Sequence, residues 1–240
     1  MLTTKGLTVV YDGGNTALDS VSVTLDKGAV IGIIGPNGAG KSTFMKAVLD
    51  LIDHEGEVLL SNEPGKKTTG HVAYVEQKSH IDYNFPITVK ECVSLGTYKK
   101  VGLFRRLGKK EWEKVDAVLE QVGLLDFKDR PIKTLSGGQF QRMLVARCLI
   151  QESDMIFLDE PFVGIDLVSE KIIVNILKDL RSQGKTILVV HHDLSKVKHY
   201  FDKVMILNKE LIAYGDVDEV FVPANLKQAY GDTIFVGEEG

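Results

Sequence analysis

The chain has little of what marks secreted, membrane-spanning or disulfide-bonded proteins. Its 240 residues include two cysteines, Cys92 and Cys148, and neither belongs to a Cys-x-x-Cys or Cys/His pattern. We therefore expect a reduced chain without a disulfide, as in the cytosol. No apolar run approaches the roughly 18 residues that cross a bilayer, and the start of the chain lacks the features of a signal peptide. We expect neither a membrane span nor a signal peptide.

The chain also lacks an excess of positive charge. The chain has 29 lysines and arginines against 33 aspartates and glutamates, a formal net charge of −4. This balance argues against nucleic acid as the main partner, and we expect none. One local basic cluster consists of Lys99, Lys100, Arg105, Arg106, Lys109 and Lys110. Two interpretations of the cluster stay open: contact with anionic lipid or an acidic partner loop, and an ordinary solvated face.

The pattern of apolar residues predicts an α/β protein. Alternating segments near the start, LTTKGLTVVY and ALDSVSVTLDKG, are typical of half-buried antiparallel strands. Continuous apolar runs in AVIGIIG, MIFLDEP and TILVVHHD indicate strands buried on both faces, as in parallel sheets. Helical patterns dominate from about residue 83 to 151, and KVMILNKELIAYGD predicts a hairpin turning near residues 208–210. We expect a mainly parallel core, an antiparallel edge and an all-helical insertion.

A glycine-rich segment between a buried strand and a helical pattern predicts a phosphate-binding loop. The segment GPNGAGKS fits G-x-x-x-x-G-K-[ST]. Its glycines let consecutive backbone N–H groups point at phosphate oxygens, Lys41 supplies positive charge for the β- and γ-phosphates, and the Ser42 hydroxyl can ligate Mg²⁺. We expect ATP and Mg²⁺ as ligands. The nucleotide-binding residues would be Gly35, Pro36, Asn37, Gly38, Ala39, Gly40, Lys41, Ser42 and Thr43.

Two carboxylates follow the apolar strand MIFL. Asp159 is placed to enter the Mg²⁺ shell, where a dication needs anionic oxygen. Glu160 is the candidate to orient or deprotonate the attacking water. A magnesium-dependent ATPase is therefore the predicted chemistry.

A second helix start offers another anion site. In LSGGQFQR, Leu135 to Arg142, a serine and two glycines precede an apolar helical pattern. Helix starts expose free backbone N–H groups and the positive end of the helix dipole, so they attract anions. The chain thus has two predicted anion sites, although one phosphate loop is enough to hold a nucleotide.

The order of these motifs, a P-loop followed by LSGGQ and then FLDEP, resembles the ATPase subunits of ABC transporters. The resemblance covers nearly the whole chain and implies the ABC ATPase fold, with one nucleotide-binding domain over residues 1–240. Within it we expect a RecA-like P-loop NTPase core with an antiparallel β subdomain over residues 1–82 and 152–240. A helical subdomain that carries the LSGGQ signature is expected over residues 83–151.

The resemblance also implies why two anion sites exist. In ABC ATPases two copies meet head to tail, and each ATP lies between the P-loop of one subunit and the LSGGQ of the other. Ser136, Gly137 and Gly138 would cap the γ-phosphate of the partner's nucleotide, and Gln139 would complete that binding segment. The chain is therefore expected to work as an ATP-driven homodimer with two composite sites.

Four further positions have roles by resemblance alone. Tyr11 matches the aromatic residue that stacks on adenine, and Gln77 matches the glutamine that contacts Mg²⁺ and the attacking water. Asp166, in FVGID, matches the aspartate of the loop that crosses the dimer interface. His192, in VVHHD, matches the switch histidine that hydrogen-bonds the γ-phosphate. His191 departs from the family pattern, which usually has Thr or Ser at that position.

The segment NFPITVKECVSLGTYKKVGLFRR, Asn84 to Arg106, resembles the ATPases of bacterial manganese, zinc and iron importers, above all manganese importers of Gram-positive bacteria. FVGIDLVSE and HHDL strengthen the likeness. The implied function is ATP hydrolysis coupled to import of a transition-metal ion, with manganese favoured, through two transmembrane permease subunits. An extracellular metal-binding lipoprotein would be an indirect partner. The chain would lie peripherally on the cytoplasmic face of the cell membrane.

We expect the chain itself not to bind the transported ion, because neighbouring strand residues such as His191, His192 and Asp193 point to opposite faces. The alternative function is a soluble ABC ATPase of iron–sulfur cluster assembly, translation or DNA repair. Translation and repair ATPases typically have two ATPase halves or a long coiled-coil insertion, and cluster-assembly ATPases are not expected to have the FPITV segment. Glu160 argues against a third alternative, a nucleotide-dependent switch without turnover.

Overall fold

The computed structural model describes residues 1–60, 72–77, 85–102 and 106–231. Within these ranges the strands form one sheet of three and one of six. The strands are β1 (Leu2–Tyr11), β2 (Asn15–Leu25), β3 (Val30–Ile34), β4 (Glu55–Leu60), β5 (Val72–Val75), β6 (Met155–Asp159), β7 (Thr186–Val190), β8 (Lys203–Asn208) and β9 (Glu210–Asp216). The helices are α1 (Lys41–Val48), α2 (Val89–Ser94), α3 (Tyr98–Val101), α4 (Lys109–Gln121), α5 (Gly137–Leu149), α6 (Leu167–Ser182), α7 (Val197–Tyr200), α8 (Val217–Val220) and α9 (Pro223–Tyr230).

The smaller sheet is antiparallel, in the order β2-β1-β4. Leu2 pairs with Leu25 of β2 on one side and with Leu60 of β4 on the other. Leu2, Leu7 and Val9 are buried, while the opposite face of β1 is more exposed. The alternating pattern at the start of the chain therefore predicted these strands correctly.

The larger sheet has the order β5-β6-β7-β3-β8-β9. Its first five strands are parallel, and β9 pairs antiparallel with β8. Every residue of β3, β6 and β7 is buried, as expected for strands covered on both faces. The predicted hairpin is confirmed, and Lys209 turns it with a left-handed φ of 63°.

The helix after the glycine-rich loop is shorter than the helical pattern KSTFMKAVLDLI suggests. α1 ends at Val48, and the chain turns at Asp50, which has a φ of 57°. Amide N–H groups in this turn donate to Met45, Lys46 and Ala47 carbonyls, which satisfies the end of the helix. The last apolar residues of the pattern lie beyond the helix.

Two buried clusters cover the two faces of the larger sheet. One lies around α1 and joins Phe44 and Met45 with Phe157 and Val190 of the larger sheet and with buried apolar residues of β1 and β2. The other packs α2, α4, α5 and α6 against the opposite face. Burial of apolar surface on both faces is the main force that holds this arrangement together.

The parallel strands bring their carboxyl ends to one edge of the sheet. Gly35 follows β3, Gln77 lies just beyond β5, Glu160 follows β6 and His191 follows β7. Ligands of open α/β sheets bind at this edge, and β3 lies between β7 and β8 there. The fold therefore gathers the candidate residues from segments far apart in sequence.

Within the described ranges, no helix combines the length and the apolar character that crossing a bilayer requires. Cys92 and Cys148 are both buried and carry free thiols. Asn84 and Arg105, parts of the importer-like segment and the basic cluster, lie outside the described residues, as does the expected subdomain boundary at residues 82–83.

Candidate nucleotide site

The loop from Gly35 to Gly40 joins β3 to α1. Gly40 has a left-handed φ of 88° and stands at the N-cap of α1. A Cβ there would lie 2.4 Å from the Ala17 carbonyl oxygen, so only glycine fits. Ala39 is buried, whereas Asn37 and Gly38 are exposed. The middle of the loop is thus open to a ligand.

Lys41, the first residue of α1, points back over the loop. Its Nζ donates hydrogen bonds of 2.8 Å to the carbonyl oxygens of Gly35 and Pro36. Burial lowers the pKa of Lys41, and the negative charges of Glu160 and Asp159 oppose that effect. Lys41 Nζ is therefore held over the loop by two backbone carbonyl groups.

Ser42 and Asp159 meet across the end of the sheet. The Ser42 hydroxyl donates a hydrogen bond of 2.9 Å to Oδ1 of Asp159. Asp159 ends β6 and is 3% exposed. Burial raises the pKa of its carboxyl group, and the hydrogen bond from Ser42 acts against this. Two hard oxygen atoms from different segments thus lie side by side.

Glu160, the next residue, turns away from the strand. Its φ of 50° is left-handed, a conformation that a non-glycine residue adopts at a cost of about 1–3 kcal/mol. The side chain accepts a hydrogen bond of 2.8 Å at Oε2 from Nε2 of Gln77. Such strained backbone is found preferentially at functional sites, where it aims a side chain.

Tyr11 stands at the end of β1, beside the start of α1. Its hydroxyl is 3.1 Å from Oγ1 of Thr43, and its side chain remains 42% exposed. An aromatic ring tethered at one edge and open on its face can stack on a planar ligand.

The LSGGQ segment begins α5. Ser136 is the N-cap and its hydroxyl accepts a hydrogen bond from the Gln139 amide, while the Gln139 side chain accepts one from the Ser136 amide. This capping box explains the serine and the glutamine locally. A Cβ on Gly138 would lie 2.3 Å from Ser169 Oγ and 2.4 Å from Asp166 Oδ2, so glycine allows close packing against α6.

Asp166 is the N-cap of α6. Its two carboxylate oxygens accept hydrogen bonds from the backbone amide and the hydroxyl of Ser169, at 2.9 and 2.8 Å. The hydrogen bond from the Ser169 amide, above all, lowers the pKa of Asp166. In a single chain, therefore, Asp166 organises the start of α6 next to Gly138.

The two neighbouring histidines have different surroundings. His192 is exposed, whereas His191 is 2% exposed and buried among aromatic rings. Burial lowers the pKa of His191 from its ordinary 6.5 to about 4, so the ring is neutral at pH 7. Among the described residues, no three His, Cys, Asp or Glu side chains form a group that could hold a metal ion.

Apart from His192, the candidate side chains for which contacts are described fall into two groups. Hydrogen bonds join Ser42 to Asp159, Gln77 to Glu160 and Tyr11 to Thr43 around the phosphate loop. Close packing of Gly138 against Asp166 joins the second group, at the starts of α5 and α6.

Sequence reasoning missed one polar cluster, which the buried Glu170 forms with Lys196 and Tyr200. Glu170 lies 26 and 30 residues from its partners, and no motif connects them. The sequence shows there only a lone glutamate, a residue type that is usually solvated.

A family model described as ABC transporter matches residues 18–163. Two curated relatives are similar over most of their length. The manganese transport system ATP-binding protein MntB of Listeria innocua is 48% identical, with 95% of each chain covered. The zinc transport system ATP-binding protein TroB of Treponema pallidum is 46% identical, over 89% of this chain and 81% of its own.

Solved structures of the same kind share the fold. A metal-chelate type ABC transporter in an inward-facing conformation has a TM-score of 0.83 at 24% identity, covering 95% of this chain and 88% of that chain. The dimeric ATP-binding cassette MJ0796 bound to ADP and phosphate has a TM-score of 0.79 at 27% identity, covering 90% of this chain and 99% of that chain.

Proposed function

The chain belongs to the ABC transporter family and is an ATPase of that family, and we propose that it energises uptake of a transition-metal ion, manganese above all. Its relatives are named as ATP-binding proteins of manganese and zinc transport systems. In this proposal the chain hydrolyses ATP as a head-to-tail homodimer on the cytoplasmic face of the membrane, bound to two permease subunits. An extracellular metal-binding lipoprotein would deliver the ion. These relatives do not favour the soluble alternative.

The observation that carries the catalytic part is the meeting of the phosphate loop with the acidic end of β6. Ser42 contacts Asp159 at 2.9 Å, and Lys41 lies in the field of both Asp159 and Glu160. A chance glycine-rich turn would have no reason to place its hydroxyl and its lysine beside two carboxylates. The arrangement matches what phosphoryl transfer requires, which is phosphate positioning together with charge stabilisation.

The residues present fit Mg²⁺. Ser42 Oγ and Asp159 Oδ1 are hard oxygen ligands already within 2.9 Å of each other, and the Gln77 side chain is near enough to contact Glu160. We propose that Ser42, Asp159 and Gln77 hold the ion. When bound, Mg²⁺ would neutralise charge on the phosphate oxygens.

The roles of the remaining residues follow from their positions. The loop amides and Lys41 bind the β- and γ-phosphates, and Tyr11 stacks on the adenine. Glu160, oriented by Gln77, accepts a proton from the attacking water as the water oxygen bonds to the γ-phosphorus. The bond between that phosphorus and the β–γ bridging oxygen breaks in the same reaction, and ADP leaves with the bridging oxygen. His192, exposed at the same edge, donates a hydrogen bond to the γ-phosphate.

We propose that the second group acts on the nucleotide of the partner chain. α5 is a helix of 13 residues whose start is pre-ordered by its capping box. Ser136, Gly137, Gly138 and Gln139 would close the partner's site, and Asp166 would cross the interface beside them. The likeness to a dimeric cassette supports this arrangement.

A cleft lined in part by Tyr74 of β5 suits the permease. It has a volume of about 400 Å³ and is lined by Tyr74, Leu95, Gly96, Tyr98, Arg147 and Gln151. Leu95 and Tyr98 are 54% and 50% exposed, and Tyr74 lies three residues before Gln77. We propose that a cytoplasmic segment of the permease binds here, mainly on the helical part of the chain. We assign residues 83–151 to this helical part and residues 1–82 and 152–240 to the core.

The test is metal accumulation in cells. A strain that lacks this chain should accumulate less manganese from limiting medium, and the wild-type chain should restore uptake, whereas Glu160→Gln should not. Zinc and iron uptake measured in parallel identify the ion. Normal accumulation of all three metals in the deletion strain would overturn the import proposal and leave the ATPase assignment intact.

A further inference from the structure

Glu170 is a buried carboxylate in the first turn of α6. Its side chain is 7% exposed, and its Oε1 accepts hydrogen bonds from Lys196 Nζ and from the Tyr200 hydroxyl. Burial alone would raise the pKa of Glu170, but the two donors outweigh it and hold the pKa below its usual value. A buried charge of this kind persists only with such partners.

Both partners of Glu170 lie on the segment that follows His192. Lys196 Nζ also lies 3.9 Å from Oδ2 of Asp193, the residue next to His192. Asp193 Oδ1 in turn accepts hydrogen bonds from the amide and the hydroxyl of Ser195, at 3.0 and 2.6 Å. The chain on the carboxyl side of His192 is therefore attached to Glu170 through Lys196.

The chain on the amino side of His192 is held by packing. The His191 ring lies 5.5 Å from the rings of Phe162 and Phe201 and 5.9 Å from that of Tyr200. Tyr200 is thus shared: its hydroxyl binds Glu170, and its ring packs near His191. The exposed side chain of His192 projects between two neighbours that are both fixed by this cluster.

The same cluster reaches the other catalytic segments. Phe162, whose ring is 5.3 Å from that of Tyr200, follows Glu160 by two residues. Glu170 lies one helical turn after Asp166, and its backbone amide donates to the Asp166 carbonyl oxygen at 3.0 Å. Three segments of the active site therefore converge on one network around the buried Glu170.

We propose that Glu170 is a positioning residue for His192. By binding Lys196 and Tyr200, it sets where the 193–200 segment lies relative to the start of α6, and so directs His192 toward the γ-phosphate. It also ties the position of His192 to that of Asp166, which the partner chain would contact. This inference rests on the γ-phosphate role proposed for His192.

The experiment is a double-mutant cycle on the full-length chain, with kcat and the KM for ATP measured for Glu170→Gln, His192→Ala and the double variant. Glu170→Gln keeps the size of the side chain and removes its charge. We expect it to lower kcat roughly 10- to 100-fold with little change in KM, because misplacement of a catalytic group acts on the reacting complex. The double variant should be no slower than His192→Ala alone.

A matched control comes from the same helix. Asp179→Asn removes an exposed charge from α6 and should leave kcat unchanged. Thermal unfolding of each variant shows whether a loss of kcat comes from unfolding or from a misplaced His192. If Glu170→Gln does not fold, Tyr200→Phe, which removes one donor and keeps the ring, replaces it in the cycle and should show the same non-additivity.

The outcomes separate the two proposals. Two results would overturn the positioning role alone, provided that His192→Ala lowers kcat. One is an unchanged kcat in Glu170→Gln, and the other is a double variant in which the two single losses of kcat multiply. An unchanged kcat in His192→Ala would overturn the proposed role of His192 and this inference with it.

Discussion

The side chain of Gln77 donates a hydrogen bond of 2.8 Å to the carboxylate of Glu160. Gln77 lies two residues beyond β5, the strand whose Tyr74 lines the cleft, whereas Glu160 follows β6. The residue proposed to activate water is thus hydrogen-bonded to a residue that follows the strand lining the cleft. A shift of Gln77 would remove a donor from Glu160, which offers a physical route from permease to catalysis.

Glu160→Gln should lower the ATP turnover about 10²- to 10⁴-fold, the usual contribution of a positioned base. The amide keeps the shape of the side chain but cannot take the proton. Nucleotide affinity should persist, and ATP should trap a dimer visible by size-exclusion chromatography. Glu210→Gln, in the exposed β8–β9 turn, is the control and should hydrolyse normally. Wild-type turnover in Glu160→Gln would show that another group is the base.

Ser136→Arg should abolish hydrolysis while the monomer still binds ATP, because the bulky cation blocks the contact with the partner's nucleotide. Ser136→Ala is its control. Both variants lose the N-cap of α5, which costs about 1 kcal/mol of stability. Only the arginine obstructs the interface, so Ser136→Ala should remain measurably active. Equal losses of ATP affinity and hydrolysis in Ser136→Arg would argue against a site shared by two chains.

Tyr11→Ala should weaken ATP binding about 5- to 150-fold, since base stacking contributes about 1–3 kcal/mol. Tyr11→Phe keeps the ring and loses only the contact with Thr43, so its affinity should stay close to that of the wild type. Titration calorimetry with ATP measures both variants. An equal loss in the two would assign the effect to the hydroxyl contact rather than to stacking.

Because the His191 ring is buried, we expect the protein to lose stability in mild acid. Burial holds its pKa at about 4 against 6.5 for a free histidine, so the unfolded chain binds more protons between these values. The free energy of unfolding therefore falls as the pH drops from about 6.5 toward 4, because protons bind the unfolded chain. The decrease due to His191 is about 2 kcal/mol between pH 7.5 and 5. Urea unfolding of the wild type and His191→Leu at both pH values measures it. His191→Leu should not show this decrease of about 2 kcal/mol. The same pH dependence of the free energy of unfolding in both proteins would contradict the lowered pKa of His191.

Much of the site could be predicted from sequence because its signals are local. The P-loop needs its glycines next to a buried strand, and Asp159 ends an apolar run, so short segments predicted the strands and the loop, while the chemical roles of these residues stay predictions. The alternation of apolar and polar residues likewise predicted the antiparallel strands, and the turn residues predicted the β8–β9 hairpin.

Other features depend on contacts between distant segments. Asp166 was matched to an interface loop, but its role as the N-cap of α6, packed beside Gly138, needed the structure. The left-handed backbone of Glu160 arises where a strand end meets Gln77, and no residue pattern predicts it. The network around Glu170 joins elements whose packing only the fold determines.

The most direct test of the two-chain site is the specific ATPase activity over a dilution series, with the fraction of dimer measured in the same samples by light scattering. We predict that activity per chain falls in step with the dimer fraction and vanishes in samples that are monomeric in the presence of ATP. Undiminished activity per chain in monomeric samples would contradict the account.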